Sequence, residues 1–308
     1  MISIITPTYN RGYILDKLYN SLLKQTNKNF EWIIVDDGSQ DNTEDLVKKW
    51  NSDFPIRYFK QKNGGKHRAV NKGVPLAKFK YIFIVDSDDY LPNDSIENVE
   101  KMILSIENEK NFAGVAGLRI YPDGIPIGNF PKKIKSFIDA TSLERDKYKI
   151  TGDKAEVFKK EILLKYPFPE IEEENFISEG ISWMKIAADG YKIRWFPIPI
   201  YIGEYLEDGL SKSKNLALKN FKGYTLLTKI SLKHTKNLNK FMIVARYIDI
   251  SNQKNINFKN KKELLEIDNF YLLIGYIFHY LRILIKFIVN KGKINERFNF
   301  LNKKIGRI

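Results

Sequence analysis

The chain contains no cysteine, and its three histidines are scattered at positions 67, 234 and 279. The first absence excludes a disulfide framework, a Cys-ligated zinc or iron–sulfur site and thiol catalysis. The second argues against a metal centre built from imidazoles. The G-x-x-x-x-G-K-[ST] spacing of a P-loop is also missing. No repeat or low-complexity linker interrupts the chain, and MISIITPTYN shows no charged leader ahead of an apolar stretch, so the expectation is a cytoplasmic protein without a secretory signal.

What is present suits a folded protein. Hydrophobic residues make up 43% of the 308 and aromatics 13%, enough to bury a sizeable core. The net charge of +14 is unevenly placed. Residues 1–210 hold 30 basic and 32 acidic side chains; residues 211–308 hold 21 and 5, a net of +16. The excess belongs to the last third, which therefore meets a different kind of partner. We place a boundary at 210/211, with a catalytic domain over 1–210 and a helical, basic extension over 211–308.

Short apolar runs at 2–6, 31–35, 56–59 and 81–85 read as strands. Helical periodicity appears over 13–25 and 43–50, and over 69–76 as far as Pro75. Near-continuous apolar strands alternating with helices predict an α/β fold, a mostly parallel sheet with helices on both faces. Such sheets bind ligands beyond the carboxyl ends of their strands. Three polar clusters fall there: Thr6 to Asn10, Asp36 to Ser39, and Asp86-Ser87-Asp88-Asp89.

Asp86 and Asp88, at i and i+2 behind a buried strand, can converge on one hard divalent cation such as Mn²⁺ or Mg²⁺. Elsewhere the same residues would make an ordinary solvated turn. Asp36 and Asp37 can accept hydrogen bonds from a base or a ribose, and Tyr9 can stack on a base, although turn formation and packing are the plain alternatives. Asn63-Gly64-Gly65-Lys66-His67-Arg68 combines backbone freedom with cations that complement phosphate, or forms a simple loop.

Together these pieces resemble the nucleotide-sugar domain of glycosyltransferase family two, with its Rossmann-like GT-A fold. The matching residues are Thr6-Pro7-Thr8-Tyr9-Asn10-Arg11, Asp36-Asp37-Gly38-Ser39 with Asp41 and Thr43, Asn63-Gly64-Gly65 with Asn71 and Gly73, and Asp86-Ser87-Asp88-Asp89-Tyr90-Leu91. The resemblance implies that Pro7, Thr8, Tyr9, Asp36 and Asp37 form the nucleotide side. It puts Lys66 or Arg68 near base or diphosphate, Asp86 at ribose or metal, Asp88 on the metal and Asp89 beside the donor sugar. The family's general base sits in an acidic pair ahead of an apolar-aromatic helix. Here the pair reads Ser178-Glu179, which implies Glu179 as base. Glu172, Glu173 and Glu174 nearby read as a solvated charge run. Arg194-Trp195 lacks the Q-x-x-R-W signature of processive members.

The implied function is an inverting, metal-dependent transfer of one sugar from a nucleotide-sugar, a UDP-sugar by family tendency. Its acceptor is a glycan or polyprenyl-linked hydroxyl in cell-surface polysaccharide assembly. The alternatives are a non-catalytic sugar-nucleotide-binding or scaffold protein at the membrane and, among enzymes, a nucleotidyltransferase. Residues 201–213 resemble the segment that folds over the donor in relatives, with a plain connecting loop as the alternative.

Over 269–290, His279, Arg282, Lys286 and Asn290 recur on one narrow face of an otherwise apolar stretch. A charge at the bilayer centre is costly, so an in-plane helix is favoured over a span. Lys259, Lys261, Lys262, Lys291 and Lys293 would add attraction to an anionic membrane surface, placing the protein on the inner face of the cell membrane. A helix packed on its own domain, or on a second copy in a homo-oligomer, is the alternative. Nucleic acid is disfavoured, because the tail's aromatics sit within apolar runs.

Overall fold

The computed structural model describes residues 2–134, 136–204, 206, 209, 215–235 and 238–305, with side chains as far as 288. Most of the segment at 201–213, and the side chains of Asn290, Lys291 and Lys293, lie outside the described residues. The chain divides into two compact units, Met1–Gly223 and Tyr224–Ile308.

The first unit is built on one eight-stranded sheet. Its strands are β1 (Ile2–Thr8), β2 (Phe30–Asp36), β3 (Ile56–Lys60), β4 (Tyr81–Ile84), β5 (Phe112–Ile120), β6 (Ile138–Ala140), β7 (Lys154–Lys159) and β8 (Lys192–Ile202). They lie in the order β3-β2-β1-β4-β7-β5-β8-β6. The helices are α1 (Leu15–Leu23), α2 (Thr43–Lys48), α3 (Lys66–Leu76), α4 (Ser95–Leu104), α5 (Lys160–Lys165), α6 (Gly180–Ala188) and α7 (Leu216–Lys219).

The first four strands are mutually parallel, as their apolar runs predict. Beyond β4 the sheet is more mixed than expected, because β7 runs antiparallel to both β4 and β5, and β6 antiparallel to β8. The reversal of β7 leaves β5 and β8 pointing the same way as β4, so the ends of all three reach one edge. Side chains alternate across the sheet. Ile4 and Ile34 enter one apolar cluster, while Ile5, Ile33 and Val35 enter another on the opposite face.

The helix after β3 begins at Lys66, three residues earlier than its periodicity suggests, and keeps Pro75 in its last turn. β1 runs through Pro7 to Thr8 instead of stopping at the proline. It pairs with β2 along that whole length, but with β4 only through Ile5. The Ile5 carbonyl accepts from Val85 on the β4 side, and the Thr8 carbonyl accepts from Asp37 on the β2 side. Backbone groups alternate sides along a parallel strand, so Pro7, which has no N–H, faces the β4 side where no further rung forms.

The second unit contains most of α8 (Phe221–His234), then α9 (Asn239–Gln253), α10 (Phe258–Leu265) and α11 (Asn269–Ile305). Residues 269–288 of α11 are long and apolar enough to cross a membrane, with a mean hydropathy of 1.5. Two residues of the supposed headgroup-facing side, His279 and Arg282, are turned inward, while Lys286 is exposed. His279 Nδ1 lies 2.5 Å and Arg282 Nη1 2.8 Å from the carboxylate of Asp249 on α9. Lys261 is buried as well, donating to Asn252 and to the Tyr276 hydroxyl. A buried charge requires a partner, and Asp249 supplies one for Arg282 while also meeting His279. The outward side of α11 is apolar, with Phe270, Leu273, Ile277, Leu281, Leu284 and Ile288 exposed.

Candidate active site

The carboxyl edge of the sheet carries two cavities that share Lys66, Asp86, Arg119, Asp153 and Phe176. The first, about 510 Å³, is lined by Pro7, Thr8 and Tyr9 after β1, Asp37 after β2, and Asp86 to Asp89 after β4. Tyr9 exposes its ring there, and the Thr8 hydroxyl oxygen is buried without a hydrogen-bond partner.

Asp37 is held by the Gly-rich loop. Its carboxylate accepts from Gly64 N at 3.0 Å, Gly65 N at 2.6 Å and Gln61 Nε2 at 2.7 Å. Gly65 has φ +99, and a Cβ on it would collide with the Asn175 carbonyl, so only glycine fits this turn. The loop thereby sets the start of α3 and aims Lys66 at the site.

Lys66 Nζ stands 2.6 Å from Asp86 Oδ1 and 2.9 Å from Glu179 Oε1. Burial pulls the ammonium's pKa down, but the two carboxylates outweigh it and hold it above the ordinary lysine value. Glu179 occupies the N-terminal end of α6, with its side chain 37% exposed. Asp86 resists burial through Lys66 and Arg119, the latter 3.4 Å away, and stays below the usual carboxylate range. Asp88 behaves oppositely. Burial and the neighbouring Asp86 charge raise its pKa, and its ion-pair partner Arg11 is 3.8 Å away. Asp89 is buried, and burial with the Asp86 charge pushes it up to about 6. It accepts from the Tyr201 hydroxyl at 2.7 Å and from Glu204 N at 2.8 Å.

Two expected ligand contacts are corrected. Asp36 is fully buried and lines neither cavity; its carboxylate accepts from Ser39 N and the Tyr58 hydroxyl, which closes the turn after β2. Arg68 also lines neither cavity. Its guanidinium reaches the carbonyls of Gly64, Ile171 and Glu174, because three partly buried acceptors from two loops converge there. Glu174, read as part of a solvated run, is buried and accepts from Lys222 N and Gly223 N at the start of α8. Tyr201, read as the start of a covering segment, is the buried end of β8. Arg194 grips Asp139 with two 2.7 Å hydrogen bonds, which ties β8 to β6.

The residues that sequence reasoning missed come from later strands. Arg119 near the end of β5 pairs with Asp86 and Asp89, its guanidinium 3.9 Å above the Tyr201 ring centroid. Tyr201 also accepts from Asp86 N. An arginine closing the apolar run FAGVAGL was the available signal for this cation.

A divalent cation fits this donor set. Asp88 and Asp86 offer hard oxygens from one turn, and the raised Asp88 carboxyl marks negative charge short of compensation. No group of three or more His, Asp or Glu side chains suited to a metal occurs among the described residues. Mg²⁺ bound by one or two carboxylates, with substrate phosphates completing its shell, matches that supply.

Comparison with known proteins agrees with this architecture. A 111-residue stretch is 42% identical to an uncharacterized glycosyltransferase of Rickettsia felis, covering 36% of this chain and 18% of that protein. The chain spans about 13 to 35% of the length of the curated relatives it matches. Among solved structures, Staphylococcus aureus TarS 1–349 in complex with UDP-GlcNAc superposes with a TM-score of 0.59 at 22% identity, covering 85% of this chain and 75% of that one. The mannosyltransferase PcManGT from Pyrobaculum calidifontis, in complex with GDP-Man and Mn²⁺, gives 0.52 at 16% identity, with coverages of 91% and 86%. These likenesses establish the GT-A fold. Residues 3–160, half of the chain, match the model of glycosyl transferase family 2, and the chain belongs to that family.

Proposed function

We propose that this protein transfers a single sugar from a nucleotide-sugar, a UDP-sugar first among them, to a hydroxyl of a glycan or lipid-linked acceptor, with inversion at the anomeric carbon. The observation that carries the reading is the Asp86–Lys66–Glu179 chain of ion pairs, which joins the nucleotide cavity to a carboxylate standing over its neighbour. The solved neighbours that bind UDP-GlcNAc and GDP-Man support the donor class.

In this reading Tyr9 and Asp37 flank the nucleobase and Asp86 faces the ribose and diphosphate. Mn²⁺ or Mg²⁺, held by Asp88 with Asp86, would neutralise charge on the leaving diphosphate. Lys66, Arg119 and Arg11 bring three cations to the same side, positioned to stabilise that charge as it develops. Glu179 takes the proton of the acceptor hydroxyl as its oxygen attacks the anomeric carbon. Asp89, fixed by Tyr201 and Arg119, supports the floor next to the sugar.

The exposed apolar ridge of α11 supports seating on the inner face of the cell membrane, where a polyprenyl-linked acceptor would lie. Cell-surface polysaccharide assembly is the corresponding setting. The test is turnover of purified protein with Mn²⁺ against a panel of nucleotide-sugars and simple acceptor glycans, following nucleoside diphosphate release. Release from one donor, abolished by chelation, is expected. Tight binding of a nucleoside diphosphate without turnover of any donor would make the protein a binding module instead.

A further inference from the structure

The second cavity, about 430 Å³, opens from the shared wall of Lys66, Asp86 and Arg119 and passes beneath α6. A group attached to the diphosphate would enter it next. Glu156, the third residue of β7, lines this space. Strand alternation puts Glu156 on the same face as Phe158, whose ring stacks on Trp183 of α6 at 4.2 Å.

The cations around the cavity have partners within the protein. Lys66 and Arg119 hold the site carboxylates, Lys154 Nζ donates to the carbonyls of Ile127 and Thr151, and Arg145 donates to that of Gly152. Glu156 has neither an ion pair nor a hydrogen bond from any other described residue. Burial, and to a smaller degree the Glu179 charge, raises its carboxyl to about 7 against the pull of Arg145 and Arg119. A second unpaired polar group, more deeply buried, lies at the same cavity. His67 lines the same cavity with both ring nitrogens buried and unpartnered, and burial together with Arg68 lowers its pKa to about 4, so the ring is neutral. Buried polar atoms in native proteins find partners, and both ring nitrogens of His67, Arg119 Nε and Arg145 Nε are buried without one at this cavity; with the half-buried, unpaired Glu156 carboxyl they point to a ligand.

We infer that Glu156 is a specificity-determining residue: it engages a ring hydroxyl of an uncharged hexose in this cavity and disfavours a uronate. The inference rests on the nucleotide-sugar reading above. A hydroxyl can donate to and accept from a carboxyl group, whereas a uronate would add a carboxylate to the four that line this cavity, Asp86, Asp153, Glu156 and Glu179, while Lys66 and Arg119 are held by site carboxylates and Lys154 and Arg145 are turned to backbone carbonyls.

The experiment compares wild type, Glu156→Ala and Glu156→Gln. Calorimetry measures binding of UDP, GDP and dTDP, and turnover is followed with the matching hexose donors and with UDP-glucuronate. For Glu156→Ala we expect about a tenfold loss in kcat/KM with the preferred hexose donor, since an unpaired sugar hydroxyl costs that much or more. Nucleoside diphosphate Kd should stay within about twofold, because Glu156 lines only the second cavity and not the nucleotide cavity. Glu156→Gln should recover part of the loss and shift the hexose-to-uronate ratio toward the uronate. Glu156→Ala within about twofold of wild type for the hexose would overturn the inference, as would equal losses of diphosphate and hexose recognition. If Glu156→Ala fails to fold, the hexose-to-uronate ratio of Glu156→Gln decides: an unchanged ratio overturns it. Wild-type protein that binds no nucleotide of the panel defeats the donor reading itself, a failure visible before any variant is measured.

Discussion

Lys66 Nζ lies 2.9 Å from Glu179 Oε1, so the carboxylate proposed as general base is paired with a cation that also serves the nucleotide side. The pair holds the Glu179 side chain in position. In the proposed reaction an arriving diphosphate would compete for the same ammonium and free Glu179 toward the acceptor. Glu179→Gln keeps the shape and removes the base. It should lower transfer by about 10² to 10⁴ while nucleotide affinity holds, measured as kcat beside a calorimetric Kd for the nucleoside diphosphate. Transfer within about threefold of wild type would reassign the base.

Asp88, the proposed metal ligand, has its pKa raised by burial and by the Asp86 charge against the pull of Arg11. Asp88→Asn should therefore abolish the enhancement of nucleotide-sugar binding by Mn²⁺ and leave the weaker metal-free binding in place. Titration with and without chelator reads both. Retained Mn²⁺ enhancement in the variant would remove Asp88 from the metal site.

The raised carboxyl of Glu156 has a signature in stability. Its folded pKa is about 7 against an ordinary value of 4.5, so between these values the native state holds a proton that the unfolded chain releases. Native stability therefore falls as pH rises through that window. Glu156→Gln cannot ionise. Its stability relative to wild type should grow from pH 4.5 to 7, by about 3 kcal/mol at most, and level off above. Paired denaturant melts across this window and one pH unit beyond it check this; a difference independent of pH would mean that Glu156 is ionised in the fold.

On α11, Leu273 and Leu284 are more than half exposed and make the ridge apolar. The full chain should float with vesicles containing anionic lipid. Leu273→Asp with Leu284→Asp should weaken that binding by about tenfold or more, since each leucine buried in lipid is worth about 1.5–3 kcal/mol. Equal flotation of parent and variant would count against membrane seating through this face.

The nucleotide side was legible in the sequence because its residues are contiguous with the strands that carry them. Thr8-Tyr9, Asp37 and Asp86 to Asp89 each follow an apolar run directly, and a parallel sheet gathers strand ends on one edge. Arg119, Glu156 and Tyr201 were not legible, because they join the site through the β4-β7-β5-β8 order, which depends on a reversed strand that no local pattern announces. Asp36 and Arg68 were misplaced for a related reason. Motif position fixes where the backbone goes, while buried partners such as the Tyr58 hydroxyl and the Ile171 carbonyl decide where the side chain turns. On α11 periodicity marked the polar face correctly but not its direction, since Asp249 lies on a different helix.

The proline next to the end of β1 has a mechanical consequence. Two adjacent strands that part company could ordinarily zip together when nothing lies between them, and a ligand would then have to break those rungs to enter. Pro7 has no hydrogen to offer β4, so the next rung is chemically unavailable. The cleft between the two strand ends is kept ajar by covalent structure, and the free energy of a guest goes into contacts with its walls instead of into prising them apart.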